Sequence, residues 1–118
     1  MKTTVYGIPN CDSTQKAFNW LKGKKLAFHF HDYKLLGITR EKLEGWCNIT
    51  SWEILFNKRS TTWKGLSIAD QQKANGQTEA IEIMLKHNSI IKRPIVETGK
   101  ELLVGYNEEI FRKHFKLK

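Results

Sequence analysis

Apolar and polar positions recur with two different periods along this chain, and the change of period divides it into three stretches. Residues 3–6, Thr-Thr-Val-Tyr, read as a short strand ending at Gly7. Ile8-Pro9-Asn10 is a turn, and a helix is expected from near Cys11 to about Lys24, with Ala17, Phe18 and Leu21 on one face. Phe28 to Tyr33 alternates aromatic and polar residues as a second strand does. A strand, a helix and a strand with short joins form a βαβ unit, so these two strands are expected to run parallel. The middle stretch changes to helical spacing. Thr39 caps a helix carrying Leu43, Trp46 and Cys47, Ser51 and Ser67 cap shorter ones, and Thr78 to Lys86 places Ala80, Ile81, Met84 and Leu85 on one face. Strand signals return at Pro94–Glu97 and Glu101–Val104, joined through Thr98-Gly99-Lys100 in the manner of a hairpin. A last helix is expected over about Asn107–Phe115, capped by Asn107 and carrying Ile110, Phe111 and Phe115. The predicted order is β-α-β, helical insertion, β-β-α. It describes one α/β domain over residues 1–118 with a helical insertion at 38–91, without repeats, low-complexity tracts or linkers.

Composition narrows the class. The chain has 118 residues, 40% of them hydrophobic, which is enough for one cored domain. No window approaches the roughly 20 apolar residues of a membrane helix. The N-terminal residues lack a long apolar region and a small-residue cleavage site, so a cytoplasmic monomer without a secretory signal is the expectation. Two cysteines, Cys11 and Cys47, do not make a disulfide scaffold and are expected to be free thiols. The net charge of +8 favours anionic partners. Many of the cations read more simply as helix-end charges: Lys22, Lys24 and Lys25 after the first helix, and Arg112, Lys113, Lys116 and Lys118 at the last. No basic run is interleaved with aromatics, which argues against direct nucleic-acid binding.

Cys11 is the residue with the clearest chemical context. A free thiol is mostly protonated at neutral pH, and only the thiolate attacks. At a turn that becomes a helix, unpaired backbone N–H groups and the positive end of the helix dipole stabilise that thiolate. The competing reading is a small buried hydrophobe, and the turn-then-helix context favours the reactive one. Cys47 shares a helical face with Leu43 and Trp46 and reads as core. Lys16, one turn into the helix, has two readings, one toward Cys11 and one toward solvent. Arg59 and Arg93 read by themselves as ordinary exposed arginines, although Arg93 precedes Pro94 and is biased to an extended backbone. His29 and His31 share a strand face, but the histidines and cysteines show no metal-ligand spacing, so no metal is expected. Trp46, Trp52 and Trp63 read as core, and Trp20 as surface or partly buried.

Five segments carry a family resemblance. Gly7-Ile8-Pro9-Asn10-Cys11-Asp12 resembles the active-site turn of the arsenate reductase (ArsC)/Spx family. His31-Asp32-Tyr33-Lys34 and Asn57-Lys58-Arg59-Ser60-Thr61-Thr62-Trp63 resemble the second strand and arginine loop of its YffB-like branch. Ile91-Lys92-Arg93-Pro94-Ile95-Val96 resembles the family's Arg-Pro strand, and Val104-Gly105-Tyr106-Asn107-Glu108-Glu109 is similar to the Spx branch. The resemblance implies a thioredoxin-like fold with a four-stranded mixed sheet. It implies Cys11 as nucleophile, Arg59 and Arg93 as anion-binding residues with Asn10 and Lys16 as further candidates, and a cis bond at Pro94.

Three positions depart from the family pattern. Thr14 stands where Spx-type proteins carry the second cysteine of a Cys-x-x-Cys switch. Gly105 stands where arsenate reductases carry a third arginine. Asp12 replaces a glycine, placing a carboxylate that opposes a doubly charged oxyanion and thiolate formation alike. The departures point away from efficient arsenate reduction and fit the YffB-like branch, and that resemblance implies a glutathione-dependent thiol or oxyanion reductase, with glutathione as co-substrate and no tightly bound cofactor. Two alternatives stay open: an Spx-like regulator docking on RNA polymerase, and a domain that has kept the fold without the activity.

Overall fold

Local signals set most of the elements. Thr39, Ser51, Ser67 and Asn107 each accept a hydrogen bond from the backbone N–H three residues on, at Lys42, Ile54, Asp70 and Ile110. Each cap satisfies a donor that the first helical turn leaves unpaired. The computed structural model describes residues 2–99 and 101–115. Lys100 of the expected hairpin and the terminal cations Lys116 and Lys118 lie outside them. The backbone divides into two units, Met1–Asp32 with Arg93–Lys118, and Tyr33–Lys92.

The first unit holds β1 (Thr3–Gly7), α1 (Asp12–Gly23) and β2 (His29–Asp32). After the second unit the chain returns with β3 (Ile95–Thr98), β4 (Glu101–Val104) and a last helix, Glu108–His114. The four strands form one mixed sheet in the order β2-β1-β3-β4. β1 runs parallel to β2 and antiparallel to β3, and β3 is antiparallel to β4. Val5 pairs with Phe30 and Val96, and Val96 with Leu103, so these side chains share a face. Against that face α1 packs Ala17, Trp20 and Leu21, and the last helix packs Phe111. The Trp20 and Phe111 rings meet edge to face at 5.5 Å. Trp20 is only 8% exposed, deeper than the surface or partly buried position read from the sequence, because it shares the helical face of Ala17 and Leu21.

The second unit is helical: α2 (Tyr33–Leu36), α3 (Arg40–Ile49), α4 (Trp52–Leu55), α5 (Thr61–Lys64), α6 (Ile68–Gln72), α7 (Gln77–Lys86) and a single 3₁₀ turn at Asn88–Ile90, which makes the helix at Glu108–His114 α8. It is wider than the 38–91 insertion expected. Tyr33 ends no strand; it opens α2, fully buried, with Oη donating to the Ile91 carbonyl at 2.9 Å and its own carbonyl accepting from Asn88 Nδ2 at 2.9 Å. Trp46 is buried, whereas Trp52 and Trp63 are half-buried and clasp the Phe56 ring edge to face. β3 begins one residue after Pro94, which has no N–H for a ladder bond. Among the described residues no helix is long and apolar enough to cross a membrane.

Candidate active site

The antiparallel pairing of β1 and β3 brings the end of one strand beside the start of the other, Tyr6 opposite Ile95. The turn after β1 and the residues before β3 therefore meet at one edge of the first unit. Cys11 is the N-cap of α1, with an extended backbone (φ −110°, ψ 125°), and its carbonyl accepts the first helical bond from Gln15 N at 2.9 Å. The turn before it is tied twice: Cys11 N donates to the Ile8 carbonyl at 3.2 Å, and Gln15 Nε2 donates to the Pro9 carbonyl at 2.8 Å.

A cysteine at an N-cap presents sulfur where serine or aspartate would present an oxygen acceptor. Partial burial pushes the Cys11 thiol up, but the donors around it outweigh this. They are the Thr14 N–H and hydroxyl, the Arg93 guanidinium and the Ser13 N–H, and the thiol is held below its ordinary value. Thr14 is fully buried, and its Oγ1 makes no hydrogen bond of ordinary geometry. Thr14 stands three residues past the N-cap, where the groups of the first turn face the N-cap side chain, so the Cys11 sulfur is the neighbour this hydroxyl can bond once the sulfur carries charge.

Beside the sulfur an open cavity of about 350 Å³ is lined by Ile8, Asn10, Cys11, Asp12, Ser13 and Arg93. It holds one cationic and one anionic side chain. The Arg93–Pro94 bond is cis, the form implied for Pro94, and the Pro94 carbonyl accepts from Gly105 N at 2.8 Å.

The structure thus brings Asn10, Cys11 and Arg93 to one cavity, with Pro94 next to it. Lys16 is not there. It is exposed on α1 and absent from the lining, because five residues of helix turn it about 140° away from Cys11. Arg59 belongs to the other unit, exposed in a turn whose Arg59 N donates to Asn57 Oδ1 at 3.0 Å. Gly105 has φ +82°, a left-handed backbone that suits glycine and would strain an arginine. Asp12 is exposed at the first residue of α1. Cys47 is buried, and burial together with the Glu44 carboxylate pushes its thiol up, the opposite of Cys11. His31 packs on the Tyr6 ring at 5.0 Å and His29 is exposed. Among the described residues no group of three or more His, Cys, Asp or Glu side chains is placed to hold a metal. Sequence reasoning treated Thr14 only as a missing cysteine and overlooked Ser13. The signal available was spacing: residues two and three past an N-cap offer it their N–H groups.

A four-stranded mixed sheet with a cysteine at the mouth of its first helix and a cis proline after Arg93 is the architecture of a thioredoxin-like protein. The sequence profile of the ArsC family matches residues 6–114, and the chain belongs to that family. A solved YFFB protein superposes with a TM-score of 0.89 at 41% identity, over 95% of this chain and 97% of that one. An arsenate reductase (ArsC) related protein from Brucella melitensis superposes at 0.76 with 36% identity, over 99% and 97%. The regulatory protein MgsR of Bacillus subtilis is 29% identical over 106 residues, 88% of this chain and 82% of its own length.

Proposed function

We propose that the protein is a glutathione-dependent thiol reductase in which Cys11 is the nucleophile. The observation that carries this reading is the half-buried Cys11 sulfur, held toward its anionic form by donors from α1 and by Arg93, and opening on a cavity. In a mixed disulfide between glutathione and a second thiol, the Cys11 thiolate attacks the glutathione sulfur. A Cys11–glutathione disulfide forms, the substrate's S–S bond breaks, and the second thiol leaves as a thiolate that takes a proton from water. Thr14 leaves no neighbouring cysteine at that position to resolve the adduct, so a second glutathione thiolate attacks it. Glutathione disulfide departs and the Cys11 thiolate returns. Asn10 and Arg93 line the cavity where the anionic groups of the substrate are held. Asp12 and Gly105 disfavour arsenate. The test is production of glutathione disulfide from a glutathione–cysteamine mixed disulfide. Turnover that vanishes in Cys11→Ser, with arsenate turnover far slower, is expected; equal turnover in Cys11→Ser would overturn the reading.

A second reading, a transcriptional regulator acting through RNA polymerase, draws on the likeness to MgsR. Polymerase retained from lysate at moderate salt, by native protein and Cys11→Ser alike, would favour it over catalysis. No retention would remove it.

A further inference from the structure

Gly7, the last residue of β1, is buried and pairs with Asp32 of β2. Nothing in its backbone demands glycine: the glycines with positive φ are Gly37, Gly99 and Gly105 among the described residues, and Gly7 is not one of them. What distinguishes it is space. A Cβ at position 7 would stand 2.7 Å from Thr14 Oγ1, 3.1 Å from Thr14 Cγ2 and 3.5 Å from Thr14 Cβ. The first distance is shorter than packed atoms tolerate, and the second is tight. The atom that would be displaced first is the unpartnered hydroxyl of Thr14, one turn on from Cys11, and Thr14 is fully buried. It therefore has little room to yield without rotating that hydroxyl away.

We propose that Gly7 is a positioning residue for Cys11: by lacking a side chain it leaves the space from which the buried, unpartnered Thr14 hydroxyl bonds the reactive sulfur once it is anionic. This rests on the reading of Cys11 as a thiolate nucleophile and adds how the thiolate is held. Strand β1 is thereby coupled to the chemistry through one buried side chain of α1. A monothiol site gains from such a device. The sulfur must stay anionic and attacking while a second molecule of thiol arrives, and a hydroxyl in place of a second cysteine holds charge without competing for the bond.

The experiment is a double-mutant cycle read by the ultraviolet absorbance of the Cys11 thiolate against pH, in native protein, Gly7→Ala, Thr14→Ala and the double variant. The other charged groups lining the cavity, Asp12 and Arg93, stay the same in all four. Gly7→Ala is expected to raise the midpoint by about one unit, as Thr14→Ala does, since each removes a hydrogen bond to the charged form. In the Thr14→Ala background, Gly7→Ala should then move it no further, because residues acting through one contact are not additive. An unchanged midpoint in Gly7→Ala, or an equal shift in both backgrounds, would overturn the proposal. Should Gly7→Ala alone be too unstable to titrate, the same contact predicts that Thr14→Ala restores folding, leaving only the 3.5 Å neighbour at Cβ. Failure to restore it counts against the proposal. A native midpoint at the ordinary thiol value would instead remove the thiolate reading itself. The titration needs no substrate, so the two failures are separable.

Discussion

At the scale of residues, the two thiols of this chain are opposite cases of one balance. Burial raises both, and only Cys11 meets donors that reverse it. Iodoacetamide is therefore expected to modify Cys11 in the folded protein and Cys47 only after unfolding, as peptide mass mapping would show. Modification of both at similar rates would contradict the assignment. The sign of the linkage follows from the direction of the shift. The folded-state value of Cys11 lies below the unfolded one, so its ionisation stabilises the fold fully above the unfolded thiol value of about 8.5, and this is lost as pH falls through the folded value. Arg93→Ala removes one donor and should raise the Cys11 midpoint by about one unit or less. Arg93→Lys should recover part of it, since a lysine keeps the charge without the planar fork. Cys11 was legible in the sequence because a turn leading into a helix makes donors from the chain itself. The role of Thr14 was not, because the direction of its hydroxyl depends on the space left by Gly7, seven residues earlier on a strand. Of the two readings of Lys16 the structure keeps the one toward solvent, and Gly105 gained its physical reason only from its positive φ.

Among the elements, caps were readable and tertiary overrides were not. The capping residues Thr39, Ser51, Ser67 and Asn107 declare themselves locally, since each is followed by an N–H that its own side chain reaches. Thr39→Ala should cost about 1 kcal/mol in urea unfolding, and no measurable loss would show that α3 does not depend on its cap. Ser60 escaped notice because Thr61 and Thr62 follow it where the apolar Trp52, Ile54 and Leu55 follow Ser51, although the two helices are equally short. Tyr33 was assigned to a strand by its aromatic neighbours and is instead taken into α2 by bonds to Ile91 and Asn88, far along the chain. Tyr33→Phe leaves the buried Ile91 carbonyl without that donor and should cost on the order of 1–3 kcal/mol. Equal stability to denaturant would mean another donor takes its place.

For the molecule as a whole, the order of elements along the chain and the parallel β1–β2 pair were legible from pattern, because a short-joined strand, helix and strand admit few arrangements, whereas the sheet order β2-β1-β3-β4 was not. The extent of the helical unit was not, since it is bounded by where contacts end rather than by any change of period at Tyr33 or Lys92. The charge of +8 acts at this scale on encounter. The rate of adduct formation with an anionic disulfide should fall as salt shortens the screening length from about 10 Å at 0.1 M to about 3 Å at 1 M. The rate with an uncharged disulfide should change little, and equal salt dependence for both would assign no steering role to that charge. The central claim is an anionic sulfur at the start of α1, and the most direct measurement is the rate at which glutathione disulfide forms an intact-mass adduct on Cys11 as pH is varied. The account predicts a rate that reaches its plateau below the ordinary thiol range, with the adduct absent in Cys11→Ser. A rate still rising through pH 8.5, the ordinary thiol value of about 8.5, would contradict it.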